Sequence, residues 1–271
     1  MTGAPWVTRL GPRRSDPDEG GLVPRHAWRI PAGLILLSLV PMLAGAIRLA
    51  ELAGGPEVTP DNARFVTMPL PVVVHIVAAS VFCLLGAFQF HPGLRRRRPR
   101  WHRLAGRMVA PAGILAALAG LWMAVFAELP AGDGPLLEVF RVVFGSAMVA
   151  FLVLGVLAIR RRDVVTHSAW MTRGYAIGQG AGTQAVLFIP WTLAGTVGET
   201  SRALIMGAAW VLNLAVAEWI IRRRRRPDRA VARPVRTTAV SSAAARPAAA
   251  GRPAAAHAPA PHGVPHYRAA P

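Results

Sequence analysis

The apolar residues of this chain are gathered into six long runs, and the polar residues are concentrated in the short connections between them. About 20 helical residues, each rising about 1.5 Å, cross the roughly 30 Å of hydrocarbon in a bilayer. No alternation of period two competes with these runs, so membrane-spanning helices are predicted. The predicted spans are residues 30–50, 72–90, 104–127, 136–159, 169–191 and 203–221. The pattern therefore predicts an all-α fold: a polytopic integral membrane helix bundle of about six transmembrane helices.

The arginines between the spans predict the orientation of the bundle. Residues 91–103 hold six arginines and no acid, residues 160–162 are all arginine, and a run of five arginines follows the last span. The turns around Asp133 and Glu199 carry acids and no arginine. Arginine-rich connections stay on the cytoplasmic side of a membrane. Both termini are therefore predicted to be cytoplasmic, in a multi-pass protein of the inner (cell) membrane.

Composition agrees with a membrane protein and excludes several other classes. Only 16% of the 271 residues are charged and 53% are hydrophobic, whereas an ordinary soluble domain is about 25% charged. All 31 basic residues are arginine, which excludes lysine Schiff-base chemistry and a P-loop lysine. Cys83 is the single cysteine, so a disulfide scaffold is excluded. The net charge of +18 lies beside predicted membrane spans, so anionic lipid is the expected partner and nucleic acid is not.

The two ends of the chain differ from its centre. Residues 222–271 hold 11 arginines, one acid and few large apolar side chains, so we predict a disordered cytoplasmic tail. Residues 1–29 are predicted to be a disordered basic segment, which leaves residues 30–221 as the transmembrane domain. A cleaved signal remains an alternative for the first span, because Ala44-Gly45-Ala46 resembles a cleavage site. The N-region and the apolar run are both longer than usual for such a signal.

Small residues recur along one face of two predicted spans. In the third span these are Gly106, Gly113 and Gly120, and in the fifth they are Gly174, Gly178 and Gly182. Glycines at steps of four or seven let a neighbouring helix approach closely, and the fifth span contains two overlapping GxxxG steps. We predict that both stripes pack helices within the chain or between copies of it.

Ionisable residues inside the predicted spans suggest a site, because such groups are costly in a membrane and tend to be functional. His102, Arg107, His167 and Arg173 all lie near the predicted cytoplasmic boundary. His75 lies near the other boundary and is a separate candidate. Arginine forms bidentate bonds with phosphate or carboxylate, so this His/Arg site is predicted to bind an anionic ligand or lipid head group, with transport as one use.

Two further functions remain open alternatives. His102 and His167 could ligate a b-type haem, with Arg107 and Arg173 pairing with its propionates, or the chain could be a structural or assembly protein. The metal content is not predicted. A histidine-only centre is a further alternative, because the imidazoles of His91, His102 and His167 could bind zinc or copper. Neither a GxSxG nor an HExxH motif is present, so no enzyme class is assigned. The ligand and the oligomeric state are not predicted.

Two motifs resemble a known family. They are His102-Arg-Leu-Ala-Gly-Arg107 and His167-Ser-Ala-Trp-Met-Thr-Arg173, which follow a span ending in Gly86-Ala-Phe-Gln-Phe90. Together they resemble the bacterial family of predicted membrane proteins called domain of unknown function 2306. The resemblance covers roughly Val72 to the end of the fifth span, and His75 fits it as well. It implies a multi-helix membrane domain and no established activity.

Overall fold

A computed structural model describes residues 25–59, 62–128, 132–195 and 197–231. This part of the chain is helical and contains no strand. A short 3-10 turn, Arg25–Trp28, leads into the first helix. The helices are α1 (Arg29–Ala53), α2 (Ala63–Val66), α3 (Pro69–Gln89), α4 (Pro92–Arg97), α5 (Pro99–Phe126), α6 (Pro135–Arg160), α7 (Val164–Gly178), α8 (Gly180–Ala194) and α9 (Glu199–Val231).

Local sequence signals explain where several helices begin. Helices α3, α4, α5 and α6 each have proline in the first turn, where its missing N–H has no helical partner to lose. Helix α7 begins after Asp163, whose side chain accepts a hydrogen bond from the Thr166 N–H at 2.9 Å. Helix α4 begins after His91, whose Nδ1 accepts from the Leu94 N–H at 3.0 Å. Capping of this kind satisfies N–H groups that a helix leaves free.

Five helices of the described residues are long and apolar enough to cross a membrane. They are α1, α3, α5, α6 and the Glu199–Arg224 part of α9. The predicted fifth span, residues 169–191, is divided between α7 and α8, which have 15 residues each. Neither α7 nor α8 alone reaches the length of a span. The described part of the chain is thus an all-helical membrane bundle with five such helices and one interrupted segment.

The pairs α3/α5 and α6/α7 run antiparallel. On α3 and α5, Gln89 lies near Gly106, while His75 lies beside Gly120. On α6 and α7, Gly155 contacts Met171. We call the end that holds residues 91–103, 160–162 and 222–224 the arginine end, and the end that holds Asp133 and Glu199 the opposite end.

The core is built of small and aromatic residues. Phe82 of α3 is almost fully buried, and its ring lies where a Cβ on Gly113 or Gly178 would be, at 2.5 Å in both cases. Leu152 is fully buried against Gly113 and Gly174, at 2.7 Å from a Cβ on either. These glycines let four helices converge on two large side chains.

Helices α1 and α9 differ in how they meet the predicted bounds of the membrane domain, residues 30 and 221. Helix α1 starts at Arg29, beside the boundary predicted at residue 30. Helix α9 continues to Val231, ten residues beyond the boundary predicted at Ile221. Residues 1–24 and 232–271, which include most of the two predicted terminal segments, lie outside the described residues.

Candidate functional site

Helices α7 and α8 meet at Gln179 in the middle of the bundle, and we call residues 177–182 the junction. Backbone bonds at the junction run from the Gln179 N–H to Tyr175 O (3.0 Å) and from the Thr183 N–H to Gln179 O (3.2 Å). Side chains of other helices supply donors to carbonyls beside the break. Asn213 Nδ2 donates to Ala176 O at 3.1 Å, and Cys83 Sγ donates to Gly178 O at 3.9 Å. A break in a membrane helix is tolerated when neighbours satisfy its backbone in this way.

A buried polar network surrounds Gln179, which is only 4% exposed. Its Nε2 donates to Tyr175 Oη at 2.9 Å and to Ser38 Oγ at 3.1 Å. Tyr175 Oη in turn donates to Cys83 O at 2.8 Å, and Ser38 Oγ donates to Leu34 O at 2.9 Å. The network therefore ties α1, α3 and α7 together at one depth.

A second set of polar contacts joins α8 to α9. Thr183 Oγ1 donates to Asn213 Oδ1 at 2.9 Å, and Gln184 Nε2 donates to Met206 O at 3.2 Å. Gln179, Gln184 and Asn213 need interhelical partners in a membrane span, and the structure provides them.

A cavity of about 420 Å³ lies beside the junction. Small-molecule sites in proteins are typically about 300–1,000 Å³. One wall is the junction itself, and the other walls come from α1, α3, α5, α6 and α9 and are mostly apolar. The polar side chains that line it, apart from Cys83, are Ser38, His75, Ser80, Glu128, Arg141, Gln179 and Gln184.

His75 lines this cavity in a defined orientation. Its Nδ1 lies 2.8 Å from the backbone oxygen of Ala116. A carbonyl oxygen only accepts hydrogen bonds, so Nδ1 carries the proton and the neutral ring keeps its free lone pair on Nε2. A Cβ on Gly120 would lie 3.3 Å from the ring, so this glycine makes room for it.

Ion pairs fix the end of the cavity that lies towards the opposite end of the bundle. The Asp133 side chain is fully buried and accepts from Arg141 Nη2 at 2.5 Å and from Arg202 Nε at 2.6 Å. Arg141 is therefore paired where it lines the cavity, and Asp133 links α6 to α9. Glu128, also at the cavity, is exposed.

The residues predicted at the arginine end have different surroundings. His102 and His167 lie within electrostatic range of each other, and His167 Nδ1 lies 2.8 Å from Gly155 O. Arg173 pairs with Glu218 through Nε and Oε1 at 2.5 Å, and its guanidinium lies 4.6 Å from the Trp170 ring centre. Arg107 is exposed on α5. His102 and His167 thus lie within electrostatic range of each other, and Arg173 has an acidic partner.

His91 has a structural role at this end. Its ring is buried, caps α4 and packs on Trp28 with ring centres 4.3 Å apart. Among the described residues, no group of three or more histidine, cysteine, aspartate or glutamate side chains is arranged to hold a metal ion.

The comparison with known families agrees with the two motifs and the helical architecture. Residues 72–221, more than half of the 271, match the family of predicted membrane proteins called DUF2306. The chain belongs to this family. No curated protein and no solved structure matches it.

Local sequence patterns do not indicate the cavity or the importance of the junction. Gly178 and Gly182 are predicted to pack against other helices. In the structure Gly178 lies against Phe82 and Gly182 lies against Leu37. The same two glycines also flank the break between α7 and α8. The available signal was the polar residue in Gly178-Gln179-Gly180, because two glycines around an amide weaken a helix inside an apolar run. The ion pair of Asp133 with Arg202 could not be predicted from nearby residues, because Arg202 is 69 residues away in the sequence.

Proposed function

We propose that this DUF2306 protein binds a small, mainly apolar molecule inside the membrane, in the cavity beside the junction, and carries it towards one membrane face. The observation that supports this proposal most directly is a cavity of about 420 Å³ bordered by an interrupted helix. Interrupted helices near the midplane mark the substrate sites of many transporters.

The structure of the junction supports a moving part as well as a binding site. Side chains of α3 and α9 donate to two backbone carbonyls beside the break, in addition to the backbone bonds of Gln179. Helix α8 could then tilt against α7 by changing a few side-chain contacts. Movement of this kind would alternately open the cavity towards the two ends of the bundle.

Quenching of tryptophan fluorescence tests the binding step, because Trp210 lines the cavity. The probe is 4-bromoanisole, a small apolar ring with a heavy atom, added to the protein in lipid nanodiscs. We expect saturable quenching that Trp210→Phe removes. Ala79→Leu, which fills the cavity, should abolish it, while Ala208→Leu, on the exposed face of α9, should not. Equal, non-saturable quenching in all these proteins would refute the proposal.

We also propose that the arginine end faces the cytoplasm and contacts anionic lipid head groups. The supporting observation is the exposure of Arg96, Arg98, Arg100, Arg103 and Arg107 on α4 and α5 or between them. Arginines near an anionic leaflet contribute about 1 kcal/mol each to its binding. In this proposal α7 and α8 cross the membrane together as a sixth span, and both termini lie inside. A reporter fused after Pro271 that proves periplasmic would refute the orientation.

The positions of His102 and His167 allow a specific test of the haem alternative. His102 and His167 interact electrostatically, and the Gly155 carbonyl at His167 Nδ1 leaves its Nε2 lone pair available. Visible spectra before and after dithionite reduction test whether these histidines ligate haem. A Soret band that shifts on reduction and is lost in His167→Ala would establish a haem site at the arginine end. A flat spectrum from protein expressed with ample haem would eliminate it.

A further inference from the structure

The polar atoms that the cavity offers to a ligand differ from those of an anion site. Arg141, its only positively charged lining residue in the described part of the chain, is paired with the buried Asp133 at 2.5 Å. The other charged lining residue, Glu128, is negative and exposed. The remaining lining groups are neutral, so an anion would find no free positive partner inside.

Two of the neutral groups, His75 and Gln184, offer a hydrogen-bond acceptor. His75 Nδ1 is committed to Ala116 O, which leaves Nε2 as an acceptor. Gln184 Nε2 donates one of its two N–H groups to Met206 O at 3.2 Å, and its Oε1 is an acceptor. An acceptor in an apolar cavity gains most from a ligand that donates a hydrogen bond, because an unpaired buried polar atom is costly.

The shape and walls favour an aromatic ring. Phe65, Phe82 and Trp210 line the cavity, and the surface near His75 is made of small residues such as Ala116 and Gly120. An apolar cavity of roughly 150 Å³ is enough to hold benzene in another protein. The volume here, about 420 Å³, accommodates one ring with a substituent.

We infer that the ligand is a neutral aromatic molecule carrying a hydroxyl group, of the phenol or quinol class, whose hydroxyl donates to His75 Nε2. This inference rests on the proposed function, since it names the ligand class of the same cavity. His75 is then the residue that sets specificity, and Ala116 O is the group that orients it.

A pair of probes that differ only in the hydroxyl tests the inference. 4-Bromophenol donates a hydrogen bond, whereas 4-bromoanisole has a methyl group in place of that hydrogen. Both are titrated at neutral pH by quenching of Trp210. In the wild-type protein we expect the phenol to bind about tenfold more tightly, which is the usual scale for one buried hydrogen bond.

Two substitutions of His75 separate its ligand contact from its contact between helices. The amide of His75→Asn can still donate to Ala116 O, because the asparagine nitrogen takes a place near that of Nδ1, but the Nε2 acceptor is gone. We expect equal affinity for the two probes in this variant. His75→Gln places an amide nearer the position of Nε2, and its oxygen should restore part of the preference for the phenol.

The outcomes distinguish this inference from the proposed function. If both probes bind saturably and equally to the wild type, the cavity binds ligand but the hydroxyl inference is wrong. The same conclusion follows if the preference survives in His75→Asn. If neither probe gives saturable quenching, the proposed function itself fails and the ligand class fails with it.

Discussion

The ion pairs of Asp133 give the sharpest test of how the bundle is held together. Asp133→Asn keeps the shape of the side chain and removes its charge. In the structure the carboxylate has no exposure and holds Arg141 and Arg202 at 2.5 and 2.6 Å. The asparagine oxygen can accept from one arginine, and its NH₂ group must then face the other.

The expected cost follows from the burial of the three side chains. Breaking a fully buried ion pair typically costs about 3–5 kcal/mol. Arg141 and Arg202 are 28% and 39% exposed, so water can solvate part of each guanidinium once its partner is neutral. We therefore expect a loss of about 2–4 kcal/mol, slightly below the buried range.

Thermal unfolding in mild detergent measures this loss. At about 2–4 °C per kcal/mol for a chain of this size, the midpoint should fall by about 5–15 °C. Glu57→Gln is the matched control, because Glu57 is an exposed acid on the loop after α1, and its midpoint should stay within about 1 °C. In a double-mutant cycle, Arg202→Gln should cost much less in the Asp133→Asn background than alone. A drop below about 2 °C for Asp133→Asn, or full additivity in the cycle, would refute this account of the ion pairs.

Three other substitutions, one of them with a control, test separate parts of the structure. Gln179→Leu removes the centre of the polar network and should lower the free energy of unfolding by about 1–3 kcal/mol. The same thermal unfolding assay measures this loss, and an unchanged midpoint would contradict a structural role for the network. Gly182→Ala places a Cβ against the α1 backbone and should lower the free energy of unfolding by about 1–3 kcal/mol. Gly33→Ala is the control, because Gly33 has open space around it, and its midpoint should not change. Equal midpoints for the two variants would contradict the close approach of α1 to Gly182. Glu218→Gln leaves Arg173 without its charged partner and should lower the midpoint more at low salt than at high salt, and a salt-independent effect would argue against the pair.

Much of the architecture could be predicted from local patterns. A span of apolar residues must form a helix in a membrane, because its backbone groups have no other partner there. This is why five of the six predicted runs correspond to single long helices. The glycine spacing likewise indicated close helix contacts, and Gly113 and Gly174 do face large side chains of neighbouring helices.

The fifth run shows the limit of the same reasoning. Residues 169–191 are apolar enough to span a membrane, and hydropathy does not distinguish a continuous helix from one that stops at Gln179. Whether the helix can break depends on donors such as Asn213 and Cys83 that lie on other helices. The surroundings of the predicted site residues could not be predicted for the same reason. Arg173, for example, pairs with Glu218, which is 45 residues away in the sequence.

The sequence by itself determined that this protein is an all-helical membrane protein of the DUF2306 family, because hydropathy and motif spacing are local properties of the chain. The tertiary structure alone decided which polar residues meet. It placed His75 beside a cavity and paired Arg141 with a buried Asp133. The physical reason is that hydrogen bonds and ion pairs depend on distances of about 3 Å, and helix packing sets those distances between residues far apart in the chain.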